Sequence, residues 1–155
     1  MTITLHLSRR MLSLFVAVVV ALAALVLGFS PQTSRAQTAT TEQAPFEDKV
    51  VYHVDDMAMA AHALANVANH LSVSPQAKIT LLANGDAVNM LVAGDYSERI
   101  SHLQAKGVRF VACNNSMRYF KINPTSLIPG VVVVPAGVAE LSRLQVVEHY
   151  AYIKP

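Results

Sequence analysis

The chain predicts an α/β protein whose mainly parallel sheet is covered by helices on both faces. Two observations carry this. Short apolar, β-branched runs of strand length alternate with segments whose apolar residues recur at helical spacing. Asp, Asn, Gly and Pro punctuate the boundaries between them. The order reads β-α-β-α-α-β-α-β-α-β, and strands alternating with helices imply parallel pairing through right-handed crossovers.

Lys49-Val50-Val51-Tyr52-His53-Val54 is the first strand. Asp55-Asp56 ends it and can cap a helix over Met57 to Leu71. Met57, Ala60, Ala61, Leu64, Ala68 and Leu71 would share its buried face, with His62, Asn66, Asn69 and His70 opposite. Ser72 to Gln76, with Pro75, breaks it. Lys78 to Ala83 is the second strand, stopped by Asn84-Gly85-Asp86, and Ala87 to Val92 is a short apolar helix. Asp95 with Glu98 resembles a capping pair for a helix over Ser97 to Lys106, which Gly107 closes.

The third strand, Val108 to Cys113, runs straight into a helical stretch, Ser116 to Ile122. Asn123 to Ser126 breaks that stretch. Val131 to Val134 reads as the most buried strand. Val138 to Val147 is a helix presenting Val138, Leu141 and Leu144, and Tyr150 to Ile153 alternates as a short last strand.

Residues 1–36 have the features of an export signal. Arg9-Arg10 precede an uncharged apolar run, Met11 to Phe29, and Ser34-Arg35-Ala36 presents small residues for cleavage before Gln37. The run also exceeds the roughly 18 residues that span a bilayer, so an uncleaved anchor facing the periplasm is the alternative. Residues 37–48 form a spacer whose Gln37 to Pro45 portion is rich in Thr, Gln and Ala, and residues 49–155 form the domain. The chain has 12 Lys+Arg and 10 Asp+Glu, but Arg9, Arg10 and Arg35 all lie in the leader. The mature chain would carry −1, which removes any case for nucleic acid.

In such sheets ligands gather beyond the carboxyl ends of the strands. That rim collects Asp55-Asp56, Asn84-Gly85-Asp86, Cys113-Asn114-Asn115 and Pro135-Ala136-Gly137. Cys113 is the only cysteine, so no disulfide forms within one chain. At a strand end followed by a helix, backbone N–H groups and the helix dipole lower a thiol pKa. A lone cysteine is equally a small buried hydrophobe, and the accessibility of Cys113 decides between the two. Asp55, Asp56 and Asp86 would raise its pKa if close, and Arg118 would offset them. Asn84, Gly85, Asn114, Asn115 and Ser116 are the rim residues placed to hold a ligand.

The histidines are scattered and no H-E-x-x-H or C-x-x-C pattern exists, so no metal is expected. Without G-x-G-x-x-G or a phosphate loop, no cofactor is expected either. His53 reads as a hydrogen-bonded core residue, and Asp55-Asp56 as caps rather than an acid/base pair.

Gly107-Val108-Arg109-Phe110-Val111-Ala112-Cys113-Asn114-Asn115-Ser116-Met117, then Leu127-Ile128-Pro129-Gly130-Val131-Val132-Val133-Val134-Pro135-Ala136-Gly137-Val138-Ala139-Glu140-Leu141 and the terminal Tyr150-Ala151-Tyr152-Ile153, resemble the DsrE/DsrF-like family. The leader marks an exported, signal-peptide-bearing member. The resemblance implies a three-layer α/β/α sandwich around a mainly parallel five-stranded sheet, assembled as a homo-oligomer, trimer or hexamer. It also implies Cys113 as a residue that accepts or relays sulfur as a persulfide, with a possible donor or acceptor protein. Family members that carry sulfur work in the cytoplasm, whereas this leader implies the periplasm. The alternative is a non-catalytic oligomeric module that binds a small anion or partner protein at the rim.

Overall fold

The computed structural model describes residues 47–155, so the leader and nearly all of the spacer fall outside the described residues. Five strands form one wholly parallel sheet in the order β4-β3-β2-β1-β5: β1 Lys49–Val54, β2 Lys78–Ala83, β3 Arg109–Cys113, β4 Val132–Val134 and β5 Ala151–Ile153. The helices are α1 Ala60–Val73, α2 Ser97–Ala105, α3 Asn114–Tyr119 and α4 Gly137–Val146. Short 3-10 segments cover Met57–Met59, Gly85–Leu91 and Pro124–Ser126.

The two helical layers are unequal. On one face, Leu64 and Val67 of α1, Val88 and Leu91 of the second 3-10 segment, Ile100 and Leu103 of α2 and Met117 of α3 pack on Val50, Leu81, Phe110 and Ala112. On the other, only α4 covers the sheet, setting Leu141 and Leu144 against Val51, Leu82, Val111 and Val134. The connections from β1, β2 and β3 therefore stay on the first face, and the connection from β4 to β5 returns over the second. Adjacent strands β3 and β4 send their chains to opposite faces. In such sheets ligands bind where adjacent strands diverge in this way, and Cys113 ends one of the two strands.

Several elements differ from the sequence expectation. The first helix begins at Ala60 behind a 3-10 turn, and its buried stripe is Ala60, Ala63, Leu64, Val67 and Leu71, leaving Ala61 exposed. His70, expected outside, turns in to bridge Tyr52 Oη at 2.9 Å and Asp48 at 2.9 Å. The Ala87–Val92 helix is 3-10 rather than α and starts at Gly85.

Asp95 does not cap α2. Gly94 donates its N–H to Ser97 Oγ, and the Ser97 N–H returns to the Gly94 carbonyl. The helix after Cys113 starts at Asn114 and stops at Tyr119. Gly107, at φ +91°, does close α2, because a left-handed residue there turns the next N–H, that of Val108, back to the Leu103 carbonyl.

The largest difference is β4. Val132 and Val133 are 40% and 38% exposed, not buried, because β4 is an edge strand. A valine run reads identically at a sheet's centre and at its edge. Val138 is likewise exposed, on a helix whose buried side is Gly137, Glu140, Leu141 and Leu144.

Candidate functional site

Cys113 is buried, with 5% of its surface exposed. It is the last residue of β3 and the residue before α3, so its side chain sits where the backbone turns from ladder to helix. Its strand position matches Val111, and partnered residues of parallel strands share a face. The thiol therefore lies on the α4 side of the sheet.

There the first N–H of α4, that of Gly137, donates to Cys113 Sγ at 3.1 Å. A helix leaves its first N–H groups without internal partners, and this one is satisfied by sulfur. Only glycine allows the approach without adjustment. A Cβ at position 137 would stand 3.1 Å from Cys113 Cβ, 3.1 Å from Leu82 Cδ2 and 3.4 Å from Asn84 Cβ.

Burial pushes the thiol pKa up. The N–H groups of Gly137, Ser116 and Asn115, together with the Ser116 hydroxyl, outweigh burial and leave it below the ordinary value. Burial as deep as this is what a small core side chain shows, while the polar donors around Sγ make this thiol easier to ionise than an ordinary buried one. Ser116 does double duty, since its Oγ also accepts the Gly85 N–H at 2.9 Å. Gly85, at φ +55°, lies so close to the Asp55 carbonyl that a Cβ there would stand 2.4 Å from the oxygen. The β1, β2 and β3 ends are fastened together at this point.

The three rim aspartates are engaged elsewhere. Asp55 pairs with Lys154. Asp56 accepts the Ala58 N–H at 2.8 Å as the cap of the first 3-10 turn. Asp86 accepts the Met57 N–H at 3.0 Å. None of the three is among the causes that shift the thiol. Arg118 does not turn to the sulfur either; it donates to Asn115 Oδ1 at 2.6 Å.

Of the rim residues expected from sequence, the structure gathers Asn84, Gly85 and Ser116 around the Cys113–Gly137 contact. Asn115 contributes its backbone N–H while its side chain serves Arg118. Asn114 opens α3, half-buried.

Three further residues belong here. Gly137 was visible as part of a rim turn but not as a sulfur ligand. His53 hydrogen-bonds Asn84 Oδ1 through Nε2 at 2.9 Å and Tyr152 Oη through Nδ1 at 2.7 Å. The alternation of β1 sets His53 on the face of Val51, but only the β5–β1 pairing brings Tyr152 to it. Among the described residues, no three of His, Cys, Asp and Glu converge to hold a metal ion.

Comparison with known proteins agrees with this architecture. No curated protein matches the chain significantly. Among solved structures, a protein of unknown function, MTH1491 from Methanobacterium thermoautotrophicum, is 35% identical with a TM-score of 0.66 over 70% of this chain and 100% of that one. The ychN protein from E. coli shares the fold at 15% identity and a TM-score of 0.60, over 71% of this chain and 100% of that one. BT1422 from Bacteroides thetaiotaomicron, of unknown function, does so at 16% and 0.55, over 70% and 95%. The DsrE/DsrF-like family matches residues 19–155, and with the parallel sheet just described this chain belongs to that family.

Proposed function

We propose that the domain accepts sulfur as a persulfide on Cys113, from a small donor such as inorganic polysulfide. The observation that carries this is the set of donors converging on the sulfur: the Gly137, Ser116 and Asn115 N–H groups and the Ser116 hydroxyl. A thiolate is the attacking form, and these donors stabilise it. In the step proposed, the thiolate attacks a sulfane sulfur of the polysulfide. One S–S bond forms as another breaks, the electron pair leaves on the shortened polysulfide, and that product takes a proton from water. No external oxidant is needed. The 5% exposure of Cys113 selects a donor of a few atoms over another protein's cysteine. A protein acceptor would need the α4 start to move first.

The test is exposure of the full chain to inorganic polysulfide, followed by intact-mass measurement. The wild type gains one sulfur and Cys113→Ser gains none. Equal gain in Cys113→Ser, or none in the wild type while a control thiol protein is loaded, defeats the reading.

The same burial favours a second reading, a non-catalytic module that binds a small anion or a partner at the rim. On that reading Cys113→Ser leaves function intact, while Asn84→Ala weakens ligand binding in calorimetry. On either reading we propose an exported protein, cleaved before Gln37 or anchored through residues 1–36, and working as a trimer or hexamer.

A further inference from the structure

We propose that His53 and Tyr152 are positioning residues that hold the side-chain amide of Asn84 toward the outer sulfur of a Cys113 persulfide. This rests on the sulfur-accepting reading above. The ladder sets His53 beside Leu82 and Leu82 beside Val111. Asn84 lies two residues beyond Leu82 and Cys113 two beyond Val111, so all of them share the α4 face. β5 joins the far side of β1 with Tyr152 opposite Val51, two residues before His53. A polar line therefore runs along the carboxyl-end edge of this face: Tyr152 Oη to His53 Nδ1 at 2.7 Å, then His53 Nε2 to Asn84 Oδ1 at 2.9 Å. It ends at the thiol's wall, because Asn84 and Cys113 flank Gly137 on the same side.

The polarity of this line follows from its groups. A neutral imidazole carries one donor and one acceptor. With Nδ1 accepting the Tyr152 hydroxyl, Nε2–H donates to the Asn84 oxygen. The Asn84 oxygen is thereby engaged, and the group Asn84 has left to offer a ligand is its NH2. An NH2 group is a donor only, which suits a persulfide anion better than a neutral thiol. The line supplies none of the donors that set the thiolate itself, which are the Gly137, Ser116 and Asn115 N–H groups and the Ser116 hydroxyl. It acts on the second sulfur, not on the first.

The experiment uses the full chain, with inorganic polysulfide as probe. Intact mass follows persulfide formation and survival, and iodoacetamide follows the unloaded thiol. Tyr152→Phe and His53→Leu are expected to hold about tenfold less persulfide, the loss that follows a weakened charged hydrogen bond. Their alkylation rates stay at the wild-type value. His53→Gln, whose amide N–H still reaches Asn84, recovers most of the loading. Asn84→Asp, which keeps the His53 bond but replaces the donor by an anion, loses it.

The inference is overturned if Tyr152→Phe holds persulfide as the wild type does, if His53→Gln is no better than His53→Leu, or if alkylation falls in step with loading. In each of those cases the wild type still loads and the sulfur-accepting reading stands. A wild type that never loads removes both. Tyr152→Phe deletes one oxygen from a side chain that is 42% exposed, so it tests the idea even if His53→Leu does not fold.

Discussion

Gly137 governs the sulfur in two ways: its N–H donates to Sγ, and its missing Cβ permits the approach. Gly137→Ala places a methyl group 3.1 Å from both Cys113 Cβ and Leu82 Cδ2. The α4 start must move outward by a few tenths of an ångström. The variant is expected to lose about 1–3 kcal/mol in urea unfolding, the usual cost of overpacking. Its thiol pKa rises because the N–H···S bond lengthens.

Ser116→Ala has a different signature. It removes a donor to the sulfur and strands the Gly85 N–H, costing about 1–3 kcal/mol and again raising the thiol pKa. Alkylation rate against pH, beside urea melts, checks both variants. At this scale the sequence revealed Cys113, Asn84, Gly85 and Ser116 as rim residues, because a parallel sheet collects its strand ends whatever their chemistry. It did not reveal which face each side chain takes beyond its own strand. Gly137, His53 and Tyr152 depend on register between strands distant in sequence, and no local pattern records that.

At the scale of elements, the turn from β2 into the 3-10 segment is the least tolerant point. Gly85 combines a positive φ with contact against the Asp55 carbonyl. Gly85→Ala pays for the left-handed backbone alone with about 1–2 kcal/mol, before the clash moves the β1 end. A lower midpoint in urea than for Gly137→Ala is the expected result.

At the opposite end of the sheet, Glu140 of α4 is only 9% exposed and joins Arg143 on its own helix to Arg109 at the start of β3. The Arg143 bond, with Arg109 behind it, overcomes burial and holds the Glu140 carboxyl at about 2 against an ordinary 4.5. A depressed carboxylate pKa gives stability that is complete above 4.5 and lost as pH falls toward about 2. Glu140→Gln should cost about 1.5–3 kcal/mol at neutral pH and flatten the stability curve in that acidic window. Equal acid sensitivity in the variant contradicts the assignment. These bonds hold α4, which has the thinner of the two cores beneath it, and α4 carries the N–H that meets the thiol.

The same scale explains what the sequence misread. Helix and strand existence followed from apolar period and punctuation, as at Lys78–Ala83 and Ser97–Ala105. The rank of β4 did not. Its valines mark a strand, and only the sheet order says that the strand has one neighbour. The Asp95–Glu98 spacing was satisfied in sequence but lost to the tighter Gly94–Ser97 turn.

For the whole molecule, β4 leaves Val132 and Val133 exposed at one edge, and Val138, Val146 and Val147 are exposed along α4. Exposed valines in this number suit an assembling protein. Light scattering of the chain lacking residues 1–36 is expected to give a trimer or hexamer, and a monomer at micromolar concentration contradicts that proposal. The export proposed above is checked by amino-terminal sequencing of the protein purified from its natural host: cleavage predicts a start at Gln37, and a start at Met1 contradicts it.

The account rests on a thiol that is mostly covered yet easier to ionise than a free one. Its most direct test is the rate of Cys113 alkylation by iodoacetamide in the native chain, followed across pH. The arrangement of donors predicts an inflection below the roughly 8.5 of a free cysteine. An inflection at or above that value, or a thiol that reacts only after unfolding, contradicts it.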